Sequence, residues 1–290
     1  MKHGKASKTA ELSAMIRTLA TKNKFGKMVF DDPYSRFFIG SKTRFIYIFN
    51  RICSFVNPAF WNKGMNSVGY LLSLCRHRYI YDMLLKELKT DNLQILIIGA
   101  GYDTNYLLVK DKLKSQQFFE LDFPATQQRK KNILKKYVKE LPNLNFCEID
   151  LKQKSINQAL KDSNFENNRQ TFIIIEGVLS YLTKPEIENL ILELSTLSSQ
   201  VKIVADYRKP ELDKQNNSTA KLWTSSFSKY NEKYVSFYNE PEVAELLIKL
   251  NLKVLENKDL LDLWIQIDEV KPNDQLSNFG GIFLATNEKR

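Results

Sequence analysis

From Leu93 onward, short runs of aliphatic and β-branched residues alternate with stretches in which apolar positions recur every three or four residues. The runs predict strands over Gln94–Ile98, Gln117–Leu121, Asn145–Ile149, Thr171–Ile175, Val201–Ala205, Leu252–Glu256 and Phe279–Thr286. Helical spacing predicts helices over Ala125–Glu140, Lys184–Leu197 and Glu240–Leu250, with Pro185 and Pro241 at the starts, where a missing amide proton costs nothing. This alternation predicts an α/β fold with a doubly wound, mainly parallel sheet covered on both faces. Before it, Leu12, Met15, Ile16 and Leu19, and then Tyr79, Ile80, Met83, Leu84 and Leu88, recur at helical spacing. Residues 1–90 therefore read as an N-terminal helical cap, broken at Pro33, which restricts Asp32 to an extended geometry. Residues 91–290 read as a Rossmann-like domain. Within it, Tyr207 to Asn239 is polar yet carries Trp223, Phe227, Tyr230, Tyr234, Phe237 and Tyr238. An insertion beyond a strand's carboxyl end is where substrate contacts accumulate, so this stretch is expected to be a lid.

The first strand runs into Gly99-Ala100-Gly101-Tyr102-Asp103-Thr104, and the second carries Glu120 and Asp122 about 20 residues later, the spacing of a ribose-binding acid. This pattern calls for a cofactor containing adenosine. A dinucleotide site wants a third glycine and a helix N-terminus open to pyrophosphate. Here no third glycine follows, and Asp103 places negative charge where the pyrophosphate would lie. S-adenosylmethionine suits the turn better, because its methionyl end carries an ammonium and a sulfonium and no phosphate. Glu120 and Asp122 point to the same side of their strand, so either could take the ribose hydroxyls.

The formal net charge is +10, from 43 Lys and Arg against 33 Asp and Glu. The lysines are spread along the chain without a stripe or motif that would support a nucleic-acid partner, and steering of an acidic protein partner is a better use of them. Cys53, Cys75 and Cys147 follow neither a disulfide nor a zinc spacing, so buried thiols and no metal are expected. The polar start of the chain is not a signal peptide, and the apolar run Phe45–Phe49 is far too short to span a bilayer. A cytoplasmic location without a membrane partner is the expectation.

Ligands of doubly wound sheets sit outside the carboxyl ends of the central strands. The residues that should converge there are Gly99 to Asp103, the acids of the second strand, Asp150 and Leu151 after the third, and Glu176 and Gly177 after the fourth. Asp150 could accept from the adenine amino group or simply cap the next helix. Leu151 would supply its backbone and an apolar wall, and Glu176 could face the substrate ammonium or the sulfonium side.

Several stretches together resemble the leucine carboxyl methyltransferase superfamily, and within it the bacterial O-methyltransferases linked to polyketide biosynthesis. They are Ser7-Lys8-Thr9-Ala10, Phe30-Asp31-Asp32-Pro33-Tyr34, Arg76-His77-Arg78-Tyr79-Ile80, the glycine turn, Phe119-Glu120-Leu121-Asp122-Phe123-Pro124 and Glu176-Gly177-Val178-Leu179-Ser180-Tyr181-Leu182. The resemblance implies a seven-stranded class I methyltransferase sheet whose last strand is antiparallel. It also implies that Arg78 pairs with the cofactor carboxylate, and that Gly99, Asp122, Asp150, Leu151 and Glu176 hold the rest. It thus favours Asp122 over Glu120. Downstream of Ala205-Asp206-Tyr207 the resemblance fades, taking the substrate's identity with it.

Methyl transfer is an in-line displacement that positioning alone can accelerate greatly. A hydroxyl acceptor needs a general base. His3 lies near the chain start and His77 beside Arg78, so a histidine base is not expected, whereas a carboxylate acceptor needs none. Tyr181 or Asp206 could orient a phenol or enol. The reading is an S-adenosylmethionine-dependent O-methyltransferase of a carboxylate or acidic hydroxyl on a small or carrier-bound metabolite. Its alternatives are a protein C-terminal carboxyl methyltransferase, a tRNA-modifying enzyme and a non-catalytic cofactor-binding protein.

Overall fold

The computed structural model describes residues 6–22, 29–41, 68–210, 234–259, 262–264 and 280–288, with positions 27, 44, 45, 48 and 52 besides. Helix α1 (Lys8–Lys22), a 3₁₀ turn (Ser35–Phe38) and helix α2 (Val68–Glu87) precede strand β1 (Gln94–Ile98). There follow α3 (Asn105–Val109), β2 (Gln117–Asp122), α4 (Pro124–Tyr137), β3 (Leu144–Glu148), α5 (Ile156–Leu160) and β4 (Thr171–Ile175). A second 3₁₀ turn (Leu179–Tyr181) leads to α6 (Lys184–Ser195), β5 (Val201–Arg208), α7 (Glu240–Lys249), β6 (Lys253–Asp259) and β7 (Gly280–Thr286). Among the described residues the strands form one sheet in the order β3-β2-β1-β4-β5-β7-β6. The pairs from β3 to β5 are parallel, and β7 runs antiparallel to both β5 and β6.

The continuous apolar strands predicted from the sequence follow from coverage of both faces. Ile95, Ile97, Phe118, Phe172, Ile174 and Val204 point to one side and pack with residues of α1, α2 and α3. Their neighbours Leu96, Ile98, Phe119, Leu121, Ile173, Ile175 and Ile203 point to the other and pack with α5, α6 and α7. The helices on this second side start where the sequence can cap them. Ser155 with Gln158, Thr183 with Glu186 and Asn239 with Glu242 each form a reciprocal capping box.

The order reverses between β1 and β4, where β2 lies to one side and β4 to the other, and a crevice opens at their carboxyl ends. Helix α1 closes one wall of it. Arg17 of α1 donates to Asp32 Oδ2 at 2.8 Å and to the carbonyl of Tyr102 at 2.6 Å, so the N-terminal segment is tied to the glycine turn. Asp32 also takes the hydroxyl of Thr104 at 2.7 Å and the amides of Tyr34 and Ser35 at 3.0 Å each. The extended residue before Pro33 is thus a buried anchor.

The expected lid is modified at both its ends. Tyr207 and Arg208 belong to β5, and Tyr207 is a core residue whose hydroxyl meets Asn257 Oδ1 at 2.8 Å. At the other end, Val235 donates its amide to Ser180 and Tyr238 donates its amide to Arg208, both at 2.8 Å, which pins this return to the second 3₁₀ turn and to β5. Trp223, Phe227 and Tyr230 lie outside the described residues. Cys75 and Cys147 are buried free thiols, as expected, and burial pushes Cys75 up to about 12. Cys53 lies outside the described residues. Among the described residues no helix is long and apolar enough to cross a membrane.

Candidate active site

Beyond Ile98 the chain turns through Gly99 and Gly101, whose φ angles of 66° and 47° are left-handed and favour glycine. A β-carbon at position 99 would also overlap Val178 Cγ2. The turn presents the Gly101 amide to Asp122 Oδ2, while Phe123 donates its amide to Asp122 Oδ1 at 2.6 Å. Asp122 is thereby held at the rim of the turn by backbone donors. Burial lifts its carboxyl to about 6, against the opposing pull of these two amides.

Glu120 lies two residues deeper on the same side of β2 and is spent elsewhere. Its Oε2 is 2.6 Å from the Lys130 ammonium of α4, and both side chains are buried. Burial raises its carboxyl to about 7, with Lys130 pulling the other way. Of the two acids, only Asp122 borders the cavity.

That cavity has a volume of about 710 Å³. Its walls include the turn from Gly99 to Asp103, together with Asp122, Asp150, Leu151, Glu176 and Tyr181, so eight of the expected site positions meet there. Asp150 does two jobs at once. It borders the cavity while accepting from the Lys152 amide and from Gln153 Nε2, each at 3.1 Å, which braces the turn before α5, whereas the cap of that helix is Ser155. Asp103 accepts from the amide and the side-chain amide of Asn105 at 2.7 and 2.8 Å, and so braces the start of α3.

Two expectations need correction. Arg78 does not reach the cavity: it is 37% exposed, pairs with Asp82 one turn along α2 at 2.8 Å, and meets the Val29 carbonyl at 3.2 Å. Arg76 reaches it instead, and helical geometry gives the reason. At about 100° per residue, two positions along α2 turn a side chain roughly 200° to the opposite side. Arg76 donates from Nε to Glu176 Oε1 at 2.9 Å and from Nη1 to Asp206 Oδ2 at 2.8 Å. Burial disfavours its charge, yet Asp206 and Glu176 outweigh that and raise its pKa further above the ordinary value. Asp206, in turn, is not placed to orient an acceptor. Its oxygens are occupied by Arg76, by Arg208 at 2.8 Å and by the Gly177 amide at 2.5 Å, and it does not border the cavity. It positions arginines.

His77, set aside on sequence grounds as a base, lines the same wall. Its Nδ1 lies 2.7 Å from Glu176 Oε2, and its buried Nε2 has no hydrogen-bond partner among the described residues. Burial would raise Glu176, but His77 and Arg76 dominate and hold its carboxyl well below the usual range. His77, Asp103 and Glu176 each bring one ligand-capable atom within 4.8 Å of the others. Such a group would accept a cation of ammonium size. Among the wall residues that sequence reasoning missed are Arg17, Arg76, His77 and Arg208. Of these, Arg76 and His77 carried a signal, since the motif Arg76-His77-Arg78 had been singled out.

The donor set fits S-adenosylmethionine. Asp122, at the rim of the glycine turn, could take ribose hydroxyls, Asp103 and Glu176 beside His77 could seat an ammonium, Arg76 puts a guanidinium on the wall for a carboxylate, and the carboxylates around the glycine turn oppose pyrophosphate. With the 3-2-1-4-5-7-6 order, these features define an S-adenosylmethionine-dependent methyltransferase of the class I fold. The family model for leucine carboxyl methyltransferases matches residues 10–195, and the chain belongs to that family.

Over 300 aligned residues, 96% of each protein, the chain is 29% identical to "Putative S-adenosyl-L-methionine-dependent methyltransferase YktD" of Bacillus subtilis (strain 168). It is 30% identical to leucine carboxyl methyltransferase 1 of Bos taurus over 123 residues, 34% of this chain and 37% of that protein. A crystal structure of a duf574 family protein from Streptomyces avermitilis superposes with a TM-score of 0.57, covering 95% of this chain and 97% of that one. At 10% identity it shows the shared fold.

Proposed function

We propose that the enzyme methylates an acidic oxygen, a carboxylate or an acidic hydroxyl, on a small or carrier-bound metabolite. The observation that carries this reading is a segregation of carboxylates along one cavity, with Arg17, Arg76 and His77 lining it beside them. Asp103, Asp122 and Asp150 gather where β1, β2 and β3 end, and Glu176 follows β4. Beyond Glu176 the wall consists of Tyr181, Leu182, Arg208, Tyr234 and Val235, without a carboxylate. The acidic end suits a cationic cofactor and the other an acceptor that is neutral or anionic.

Bound there, S-adenosylmethionine would supply an electrophilic methyl group on a sulfonium. The chain's own residues do the rest by placement. Asp122 would hold the ribose, Glu176 the methionyl ammonium and Arg76 the methionyl carboxylate, so the methyl group would face the aromatic end of the cavity. Tyr181 and Tyr234, with ring centres 5.4 Å apart, would wall the acceptor and keep water from it. An oxygen that is already anionic can attack without giving up a proton, which leaves alignment as the main catalytic contribution.

Methylation of a protein's C-terminal carboxylate is the second reading, favoured by the family match. Both readings are tested by incubating the enzyme and S-adenosylmethionine labelled at the methyl group with a protein-free metabolite extract or with the matching protein fraction. Label released by mild alkali as volatile methanol marks a methyl ester. Alkali-labile label in the metabolite fraction supports the small-molecule carboxylate, and alkali-stable label there supports a hydroxyl acceptor. Label confined to protein and recovered after proteolysis in a C-terminal peptide would transfer the assignment to the second reading.

A further inference from the structure

Arg208 stands at the acceptor end of the cavity and is only 5% exposed. Its backbone is fixed on both sides of the strand end, by pairing in β5 and by the Tyr238 amide bonded to its carbonyl at 2.8 Å. Its Nη1 donates to Asp206 Oδ2 at 2.8 Å, but its Nε is buried and has no hydrogen-bond partner among the described residues. The guanidinium carbon lies 5.6 Å from the centre of the Tyr234 ring. A buried guanidinium whose second edge is unsatisfied is costly to maintain and well suited to take an anion.

The charges around it point the same way. Asp206 Oδ2 is shared between Arg208 and Arg76, and Asp206 Oδ1 is taken by the Gly177 amide, so one carboxylate serves two arginines. In the ligand-free arrangement Glu176 supplies the balancing negative charge through Arg76. Once Glu176 faces the ammonium of the cofactor, Arg76 and Arg208 share Asp206 alone. One positive charge is then left, which the cofactor carboxylate answers at Arg76, so an acceptor anion rests on the unpartnered Nε of Arg208.

We infer that Arg208 is the anion-binding residue of the acceptor subsite, taking a carboxylate of the acceptor on the guanidinium edge that Asp206 leaves open. This rests on the methyltransferase reading of the cavity and narrows its substrates to acids. Arg208 holds the acceptor beyond Glu176, and through the Asp206 Oδ2 that it shares with Arg76 it also borders the cofactor residues.

The test uses the full-length protein saturated with S-adenosylhomocysteine, with ligand-observed NMR of octanoate and benzoate against octanamide and benzamide. The acids should bind the wild type, and the amides should not. Arg208→Gln should weaken the acids by about tenfold or more, and Arg208→Lys, which can keep the ion pair with Asp206 but lacks the fork, should fall between. Far-UV circular dichroism and urea unfolding of each variant serve as the check on folding, and titration of S-adenosylhomocysteine sets the concentration that keeps each variant saturated.

Equal binding of acids to the wild type and Arg208→Gln, equal binding of acids and amides, or no binding of any acid to the wild type would each overturn the inference. Inorganic phosphate is the last arm: binding of phosphate through Arg208 with no binding of the acids would assign the subsite to a phosphate group and overturn the carboxylate. If S-adenosylhomocysteine fails to bind the wild type while the acids bind through Arg208, the cofactor reading fails and the subsite stands.

Discussion

Replacing Arg76 and Arg78 separately by alanine sets two arginines of one helix against each other. Arg76 is buried between two carboxylates, with Glu176 at 2.9 Å and Asp206 at 2.8 Å. Removing one partner of such a group leaves buried charge uncompensated, a loss of about 3–5 kcal/mol in comparable cases. His77 and Arg208 remain beside the two acids and should keep the loss near the lower end. Arg78 makes an exposed i,i+4 pair with Asp82, worth only about 0.3–0.5 kcal/mol.

Urea unfolding followed by circular dichroism should therefore show Arg76→Ala far less stable than the wild type and Arg78→Ala nearly unchanged. Arg76 would also surrender its hydrogen bonds to the cofactor carboxylate, so affinity for S-adenosylhomocysteine should fall by about 1.5–3 kcal/mol, or roughly 10- to 150-fold. Arg76→Lys restores charge but not the fork, and should recover stability better than affinity. The reasoning would be refuted if Arg78→Ala lost cofactor affinity and Arg76→Ala did not.

Asp122 predicts a pH dependence with two signs. Its folded-state pKa, about 6, lies above the ordinary 3.8, so its contribution to stability is present below that ordinary value and is lost as pH rises through about 6. Ribose hydroxyls prefer the ionised acid, so cofactor affinity should instead climb as pH rises toward 6 and level off above it. Asp122→Asn should flatten that affinity profile in calorimetry and weaken binding at pH 7.5. Its NH2 group would face one of the two backbone amides that the carboxylate now accepts, so the ligand-free protein should gain little or no stability there in chemical unfolding. Gly99→Ala should cost about 2–4 kcal/mol, from left-handed strain plus the overlap with Val178, and adding Val178→Ala should return part of it. A double mutant no more stable than Gly99→Ala would put the whole cost on the backbone.

The sheet was legible because parallel strands buried on both faces are written as unbroken apolar runs, and all seven predicted strands lie within a few residues of the observed ones. The glycine turn and Asp122 were legible because backbone approach and a ribose acid impose fixed residue types at fixed spacing. Arg76 was not, since choosing between two arginines in Arg76-His77-Arg78 requires knowing which face of α2 turns toward the sheet, and both faces of that helix carry apolar residues. Arg208 and the anchor Asp32–Arg17 were hidden for a different reason. Arg17 meets Asp32 and the Tyr102 carbonyl only in the tertiary fold, 15 and 85 residues apart in sequence, and Arg208, though two residues from its partner Asp206, shares that acid with Arg76 of α2 only once the fold brings α2 to β5. Asp206 misled because a carboxylate beyond a strand end can face ligand or hold cations, and here it holds two arginines.

The account's central claim is that the cavity above β1, β2 and β4 holds S-adenosylmethionine and rejects a dinucleotide. Calorimetric titration of the wild-type protein at pH 7.5 with S-adenosylhomocysteine and with NAD tests this most directly. The account predicts one site per chain for S-adenosylhomocysteine and no measurable heat from NAD. Binding of NAD as tight as, or tighter than, that of the sulfur ligand would contradict it.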